Sequence, residues 1–228
     1  MTHPVWPLFD LVVRTPRLEL RYLDDNLCTE LAVLAAQGIH DPEFMPFAMP
    51  WSDATSPELE RGLLQYQWRC RAETTPSHWN LNFATIVGGV VIGSTSLFTN
   101  DYPVLRQFET GSWLGRRHQG KGFGKEMRLA SLHLGFAGFH AELATTGAYA
   151  DNGPSLGVTA SLGYTEAGRR RVVRRTAPAE MIGFRMSRDH WEQQLRRADI
   201  ELVGVEAARD LLGIADTAGR SDAQDGDQ

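Results

Sequence analysis

The residues with the clearest chemical potential form one run, Gly111 to Lys125, with the sequence GSWLGRRHQGKGFGK. It passes from an apolar, strand-like stretch through three closely spaced glycines into a helical pattern. Glycines at such a junction let the backbone approach a ligand closely, because no Cβ intervenes. The first amides of the next helix have no partner within it and lie at the positive end of its dipole, so they attract anions. The run therefore predicts a phosphate-binding loop, with positive charge added by Arg116, Arg117, Lys121 and Lys125.

Spacing separates three kinds of phosphate loop. A dinucleotide-binding fingerprint needs G-x-G-x-x-G and an acidic residue about 20 positions on, but the glycines here read G-x-G-x-G, and no convincing second strand precedes Glu142. A nucleotide triphosphate loop needs a hydroxyl after its lysine, and Lys121 is followed by Gly122. The third pattern, [QR]-x-x-G-x-[GA], fits residues 117–122 and lies between a strand and an amphipathic helix.

Size and composition limit the class of protein. The chain has 228 residues, 42% of them hydrophobic and 22% charged, which suits a soluble globular protein of one sizeable or two small domains. Its net charge of −5 argues against a surface that binds nucleic acid throughout. Cys28 and Cys70 have neither metal-ligand nor C-x-x-C spacing, so we expect reduced thiols and no metal. No signal peptide or membrane-spanning run is apparent, so we expect a cytoplasmic protein without membrane contact.

Hydrophobic periodicity predicts the elements that position the loop. We expect residues 14–213 to form a single domain between an extended arm, 1–13, and a disordered acidic tail, 214–228. The predicted strands are 17–22, 79–87, 90–98, 108–114, 143–149, 164–176 and 181–186. The predicted helices cover residues 25–37, 57–72, 123–139 and 189–213, and a short helix is predicted after Asn152 that ends at Gly163.

This order resembles the GNAT acyltransferase superfamily over residues 14 to 191. Residues 117–122 resemble its coenzyme A pyrophosphate loop, and residues 152–164 resemble its N-x-x-[SA]-x₇-G-[FY] segment. The opening run 14–21, RTPRLELR, resembles the branch that contains ribosomal-protein N-terminal acetyltransferases. The resemblance implies an α/β fold with helices on both faces of a mixed, mostly antiparallel sheet of six to seven strands, splayed around a CoA site.

The resemblance also implies an enzyme that moves an acyl group from acetyl-CoA, or a longer donor such as succinyl-CoA, to a primary amine by direct attack. The Leu114 amide would donate to the thioester carbonyl, and Asn152 would hydrogen-bond the pantetheine arm; as the alternative, Asn152 caps a helix. The implied CoA-binding residues are Trp113, Leu114, Arg117, His118, Gln119, Gly120, Lys121, Gly122, Phe123, Gly124, Asn152 and Ser155.

Sequence motifs identify the general acid and general base of this reaction less clearly than the CoA-binding residues. Many relatives place a tyrosine seven positions after the asparagine, where this chain has Thr159. The resemblance to the ribosomal-protein-acetylating branch, which usually has a serine three positions after the asparagine, implies that Ser155 is the thiolate donor. Hydrogen bonding at a helix start is its alternative role. Glu109 is the expected base, ahead of Asp101 and His78, although an exposed strand residue is its simpler interpretation. The missing tyrosine keeps open a rival function, a non-catalytic CoA-binding regulator.

The acceptor side is predicted from an apolar loop, residues 45–51. In the family this region forms one wall of the acceptor pocket, which implies that Phe47, Met49 and Trp51 bind substrate. A hydrophobic lid or a subunit contact is the alternative, and we expect a homodimer to which the arm, residues 1–13, contributes. The arginine-rich run 169–175 fits either a solvated strand pair or a surface that recognises acidic groups.

Overall fold

The computed structural model of the protein describes residues 3–215. In this range a single mixed sheet contains β1 Val12–Arg14, β2 Glu19–Tyr22, β3 Trp79–Val87, β4 Val90–Thr99, β5 Gln107–Leu114, β6 Leu143–Tyr149, β7 Thr165–Arg174, β8 Ala177–Ser187 and β9 Glu201–Val203. The helices are α1 Asp25–Ala36, α2 Glu58–Ala72, α3 Tyr102–Leu105, α4 Phe123–His133, α5 Gly153–Ser161, α6 Arg188–Gln194 and α7 Val205–Leu212.

The strand order is β7-β8-β6-β5-β4-β3-β2-β1-β9. Neighbours are antiparallel except for β5 and β6, which run parallel. The predicted α/β class with a mixed, mostly antiparallel sheet is confirmed. The predicted count of six to seven strands is too low, because nine strands form within residues 3–215.

The two strands that were missed are β1 and β9, which pair with each other at the edge of the sheet. Each has only three residues, too few to show a period of two, and their pairing joins distant parts of the chain. The prediction of helix over 189–213 is wrong in its middle, where β9 separates α6 from α7. Gly204, with φ of 75°, adopts the left-handed conformation that starts α7 directly after the strand.

The expected arm is not simply extended. Residues Pro7–Asp10 form a 3-10 turn, and Leu8, Leu11 and Val13 are completely buried in the main core. This segment therefore packs against its own domain, since a short apolar run next to an edge strand gains more by burial than by exposure. The predicted tail lies outside the described residues from position 216 onward.

Helices cover both faces of the sheet, as alternate residues of β3 indicate. Leu81 and Phe83 belong to the larger core, which also contains the buried residues of α4. Ala84 and Ile86 point the other way and pack with buried residues of α1 and α2. Period-two alternation between two apolar faces is typical of a strand covered on both sides.

Local sequence explains the elements nearest the site. The β3–β4 hairpin turns at Gly88 and Gly89, which have φ of 56° and 79°, as a two-glycine turn requires. The helix predicted over 123–139 is α4 followed by a π-helical turn, Leu134–Gly138. A Cβ on Gly135 would lie 2.2 Å from the Phe108 ring, so glycine permits close packing of this turn on β5.

Candidate functional site

A gap in the sheet lies at the centre of the candidate site. The parallel strands β5 and β6 pair only where Gln107–Glu109 face Leu143–Thr145. Beyond these residues, β5 continues to Leu114 and β6 to Tyr149 without a registered partner in each other. We call the space between residues 110–114 and 146–149 the strand gap. It presents backbone hydrogen-bonding groups that the sheet itself does not use.

The side chains around β5 show which amides face the strand gap. The Thr146 hydroxyl on β6 donates to the Thr110 carbonyl at 3.0 Å, whereas the Thr95 hydroxyl on β4 donates to the Gly111 carbonyl at 3.1 Å. Amide and carbonyl of one residue point to the same side of a strand, and successive residues alternate. The amides of Ser112 and Leu114 therefore face the strand gap, where an extended ligand would find two backbone donors.

The glycine loop, residues 117–124, follows at the carboxyl end of β5. Gly120 and Gly122 have φ of 73° and 82°, which glycine adopts without strain. Gly122 is the N-cap of α4, and no side chain caps this helix start. The first amides of α4 are thus directed outward, beside exposed basic side chains at 116, 117, 121 and 125. This arrangement suits a diphosphate.

Two predicted loop residues have partners within the protein. The Gln119 side-chain amide donates to the carbonyls of Ile39 at 2.7 Å and Leu114 at 2.9 Å, so this side chain braces the base of the glycine loop. Arg117 Nε donates to His118 Nε2 at 2.9 Å. Burial, helped by the charges of Arg117 and Lys121, lowers the pKa of His118, and a neutral imidazole can accept this bond.

An ion pair between Arg17 and Glu126 holds the start of α4. Glu126 is buried and accepts from Arg17 Nε at 2.5 Å and from the Thr15 hydroxyl at 2.6 Å. The guanidinium of Arg17 also lies over the Phe123 ring, 5.1 Å from its centre. Burial would raise the pKa of Glu126, but the bonds from Thr15 and Arg17 outweigh it and lower that pKa. The run 14–21 carries a sequence motif, but local sequence does not indicate this pairing across 109 positions.

Helix α5 begins beside the end of β6 and carries the expected thiolate donor. Asn152 Oδ1 accepts from the Ser155 amide at 3.3 Å, so Asn152 fulfils its capping role. No hydrogen bond from the Ser155 hydroxyl is found among residues 3–215, which leaves that group available. Thr159 is 1% exposed and its hydroxyl has no partner in the described structure, so this position faces the interior. Tyr164 is a member of the main core, in line with a packing role.

Glu109 is the last β5 residue paired with β6, directly before the strand gap. Burial raises the pKa of its carboxyl, while the charges of Arg170 and Arg128 oppose that rise. Asp101 and His78 lie near the β4–β5 connection, at the opposite end of β5 from the glycine loop. Of the three candidate bases, only Glu109 borders the strand gap.

A cavity of about 470 Å³ lies on the α1–α2 side of the sheet. We call it the acceptor cavity. All three predicted acceptor residues line it: Phe47, Met49 and Trp51. The rings of Phe47 and Trp51 are 5.1 Å apart and those of Trp51 and Trp113 are 5.8 Å apart, which continues the aromatic wall onto β5. Because Ser112 and Trp113 also line it, the acceptor cavity meets the strand gap at β5.

The arginine-rich run lies mainly on β7, and much of it is paired. Arg175, in the β7–β8 turn, donates to Asp53 at 2.6 Å and to the Pro42 carbonyl at 2.8 Å. These bonds hold the segment that contains the apolar loop against the end of β7. Arg174 pairs with Asp151, and Arg169 pairs with Glu166 and Glu180. These contacts favour a structural role for most of the run.

Residues 3–215 have no group of histidine, cysteine or acidic side chains placed to hold a metal ion. The helices in this part of the chain are all too short or too polar to cross a membrane. Cys28 and Cys70 are buried free thiols.

The splayed parallel pair, the glycine loop and the helix that follows it define a GNAT-type transferase. Residues 17–165 match the model of a family described as acetyltransferase (GNAT) domain, and the chain belongs to this family. The family of the RimJ/RimL type that the sequence resembles is thereby confirmed, and the protein is a GNAT N-acetyltransferase. This result favours the enzyme over the non-catalytic regulator.

Solved structures share the fold. Ribosomal-protein-S5-alanine acetyltransferase from Vibrio fischeri is 16% identical with a TM-score of 0.63, over 82% of this chain and 100% of that one. RimL, a ribosomal L7/L12 alpha-N-protein acetyltransferase in complex with coenzyme A, is 14% identical with a TM-score of 0.62, over 77% and 97%. The microcin C7 self-immunity acetyltransferase MccE, in complex with acetyl-CoA and AMP, is 16% identical with a TM-score of 0.62, over 75% and 93%.

Proposed function

We propose that this acetyltransferase moves the acyl group of an acyl-CoA thioester to a primary amine that enters through the acceptor cavity. The observation that carries the proposal is the meeting of three features at β5. The strand gap offers unpaired amides, the glycine loop offers an anion site at one end, and the acceptor cavity opens from the α1–α2 side at Ser112 and Trp113. A thioester and an amine can therefore approach each other across one strand.

The residues present fit a CoA thioester. A pantetheine arm resembles a short peptide and can use the Ser112 and Leu114 amides as an added strand would. Gly120 has no heavy atom within 4 Å of where its Cβ would lie, and Gly122 has only the Arg17 guanidinium, at 3.5 Å, so phosphates can approach the backbone. Basic side chains of the glycine loop supply matching charge.

The chain supplies hydrogen-bond donors and a base to the reaction. The gap amides would polarise the thioester carbonyl and stabilise the oxyanion that forms when the amine attacks. Glu109 would take a proton from the amine, since an ammonium group cannot attack. The new carbon–nitrogen bond forms, the carbon–sulfur bond breaks, and the Ser155 hydroxyl would donate a proton to the departing thiolate. No covalent enzyme intermediate is needed.

The acceptor cavity favours an amine attached to an apolar group, because its walls are largely aromatic and aliphatic. Two of the structural neighbours are described as ribosomal-protein acetyltransferases. A protein N-terminus or a small-molecule amine is accordingly the acceptor class that we propose. Acetyl is the family's donor group, and succinyl or another longer acyl group is the further option. We also propose a cytoplasmic homodimer that acts without nucleic acid.

Turnover of acetyl-CoA and succinyl-CoA with a panel of peptide and small-molecule amines tests the proposal. Steady release of free thiol that depends on an amine is expected. Trp51→Ala should raise the KM for the amine and leave the KM for acyl-CoA unchanged. Trp68→Ala is the matched control, since Trp68 lies on the same side of the sheet, is 48% exposed and does not line the acceptor cavity. Equal amine KM values in both variants would show that the amine does not bind in the acceptor cavity.

A further inference from the structure

A buried cation lies at the strand gap. Arg128, on α4, is only 5% exposed. Its guanidinium donates to the Thr146 hydroxyl at 3.0 Å and to the Ser112 hydroxyl at 3.3 Å. These two residues belong to the two strands that border the strand gap, so the charged group spans the gap on its α4 side.

The guanidinium of Arg128 forms no salt bridge with a carboxylate of residues 3–215. Its hydrogen bonds go to two neutral hydroxyls, and its buried Nε has no hydrogen-bond partner. Removing a guanidinium from water costs several kcal/mol unless an anion and full hydrogen bonding offset that cost. An apolar residue would fill the same interior position of α4 without this penalty. The arrangement therefore points to an anion that is present only when a ligand is bound.

Nearby charged groups do not supply that anion. Glu109 is the one carboxylate of β5, and it interacts with both Arg128 and Arg170, so two cations share one acidic group. Ser112, which bonds Arg128 through its side chain, directs its amide into the strand gap. The cation thus adjoins the place proposed for the thioester.

We propose that Arg128 is a specificity-determining residue that binds the terminal carboxylate of a short dicarboxylic acyl group carried on CoA. The inference rests on the proposed function of the strand gap. A carboxylate at the far end of the acyl chain would neutralise the guanidinium and accept from its unpaired Nε. Charge-assisted bonds in a site closed to water are among the strongest hydrogen bonds in proteins.

Transfer from a dicarboxylic acyl-CoA forms and breaks the same bonds as transfer from acetyl-CoA. The amine nitrogen bonds to the acyl carbon, the carbon–sulfur bond breaks, the amine loses a proton and the thiolate gains one. The terminal carboxylate takes no part and appears unchanged in the product, an amide that bears a negative charge. Arg128 therefore affects which acyl group is held, and not the bonds that form and break.

Binding and turnover of acetyl-CoA, succinyl-CoA and CoA test the inference with wild type, Arg128→Met and Arg128→Lys. Wild type should favour succinyl-CoA over acetyl-CoA by about 10- to 100-fold in kcat/KM, as expected for hydrogen bonds to a charged group. Arg128→Met should lose this preference, so that its kcat/KM with succinyl-CoA falls to the level of its kcat/KM with acetyl-CoA. Arg21→Met is the matched control, because Arg21 is an exposed arginine on β2 and should leave the preference unchanged.

Circular dichroism reports whether each variant folds. If Arg128→Met does not fold, Arg128→Lys decides, since it keeps the charge but loses the two-pronged geometry and should reduce the preference at least several-fold. Equal kcat/KM for the two donors in wild type, or a uniform loss for both donors in a folded variant, would overturn the inference and leave Arg128 as a spacer between strands. Failure of wild type to bind any CoA compound would instead overturn the proposed function.

Discussion

Glu109, the residue that we propose as the general base, is half-buried beside the strand gap. Its position at the last paired step of β5 puts a carboxyl group next to the strand gap, in surroundings that raise its pKa. A carboxyl with a raised pKa is a stronger base once ionised, which suits proton transfer from an amine near neutral pH. Arg170 and Arg128 limit the rise, so that ionisation is not prevented.

This position predicts a specific pH dependence. Because Glu109 must be charged to accept a proton, kcat/KM should fall as the pH drops through its pKa, which lies above the ordinary range of glutamate near 4.3. Glu109→Gln should lower kcat by ~10²- to 10⁴-fold and abolish that acidic limb. A pH–rate profile of both proteins measures this, and an unchanged acidic limb in Glu109→Gln would assign the base to another group.

Ser155 gives a second prediction for a single residue. Ser155→Ala should lower kcat by ~10- to 10³-fold and leave CoA affinity within a few-fold, because it removes a donor to the thiolate. The amide of residue 155 can still donate to Asn152, so the helix cap survives this change. Wild-type turnover in Ser155→Ala would point to another donor, such as the buried Tyr149 hydroxyl, which has no partner in the described structure.

The sequence was informative for residues that carry a motif and uninformative for those that depend on packing. Gly120, Gly122 and Asn152 could be placed because their roles follow from local backbone geometry. Arg128 could not be recognised, since its importance comes from burial between two strands that separate only in the folded protein. A charged residue within an otherwise buried helix was the available signal.

At the scale of elements, the placement of α4 depends on the opening segment of the chain. Glu126 accepts bonds from Thr15 and Arg17, and Arg17 also reaches the carbonyls of Lys121 and Gly122 at 3.4 and 3.5 Å. The first strands and the glycine loop are thus tied together through one buried carboxylate.

Glu126→Gln should therefore destabilise the protein by about 1–3 kcal/mol, because charge-assisted bonds become neutral ones in a buried site. The lowered pKa of Glu126 gives stability that is present above its unfolded pKa, near 4.5, and is lost as the pH falls through the folded pKa. Thermal unfolding followed from pH 7 downward should show a shallower loss for Glu126→Gln than for wild type. Parallel curves for the two proteins would contradict this role.

Most element boundaries could be predicted because the hydrophobic periodicity changes at the same positions where glycine and proline residues end an element. Strands β3 and β6 match the predicted ranges, and α2 differs by one residue at its start. The failures, β1, β9 and the end of α4, have a common physical origin in contacts between distant segments. Three-residue strands have no detectable period, and the π turn after α4 reflects packing of Gly135 on Phe108.

In the whole molecule, the function that we propose brings the two ligands to β5 from two directions. The glycine loop lies at its carboxyl end and the acceptor cavity lies on the α1–α2 side, so donor and acceptor need not pass each other. Most of the apolar loop is covered within the chain: Met45 is 2% exposed, and Phe47 and Trp51 pack against neighbouring rings. Met49, at 74% exposure, is the member that a partner would cover.

The predicted homodimer therefore depends on a smaller patch than the sequence indicated. Light scattering at micromolar concentration should give twice the mass of one chain. Met49→Glu should shift the mass toward that of one chain if this patch forms the contact, because a buried unpaired charge disfavours association. A mass of one chain for wild type would refute the dimer, and a doubled mass in both proteins would move the contact elsewhere.

Calorimetric titration of CoA into two matched variants tests whether acyl-CoA binds along the strand gap with its phosphates at the glycine loop. Gly122→Asp and Gly89→Asp place the same side chain at positions with φ of 82° and 79°, neither with a heavy atom within 3.4 Å of its Cβ. Only the first adds negative charge at the phosphate site. CoA affinity should be on the order of 100-fold weaker for Gly122→Asp and unchanged for Gly89→Asp. Equal affinity in the two folded variants would contradict this placement of acyl-CoA.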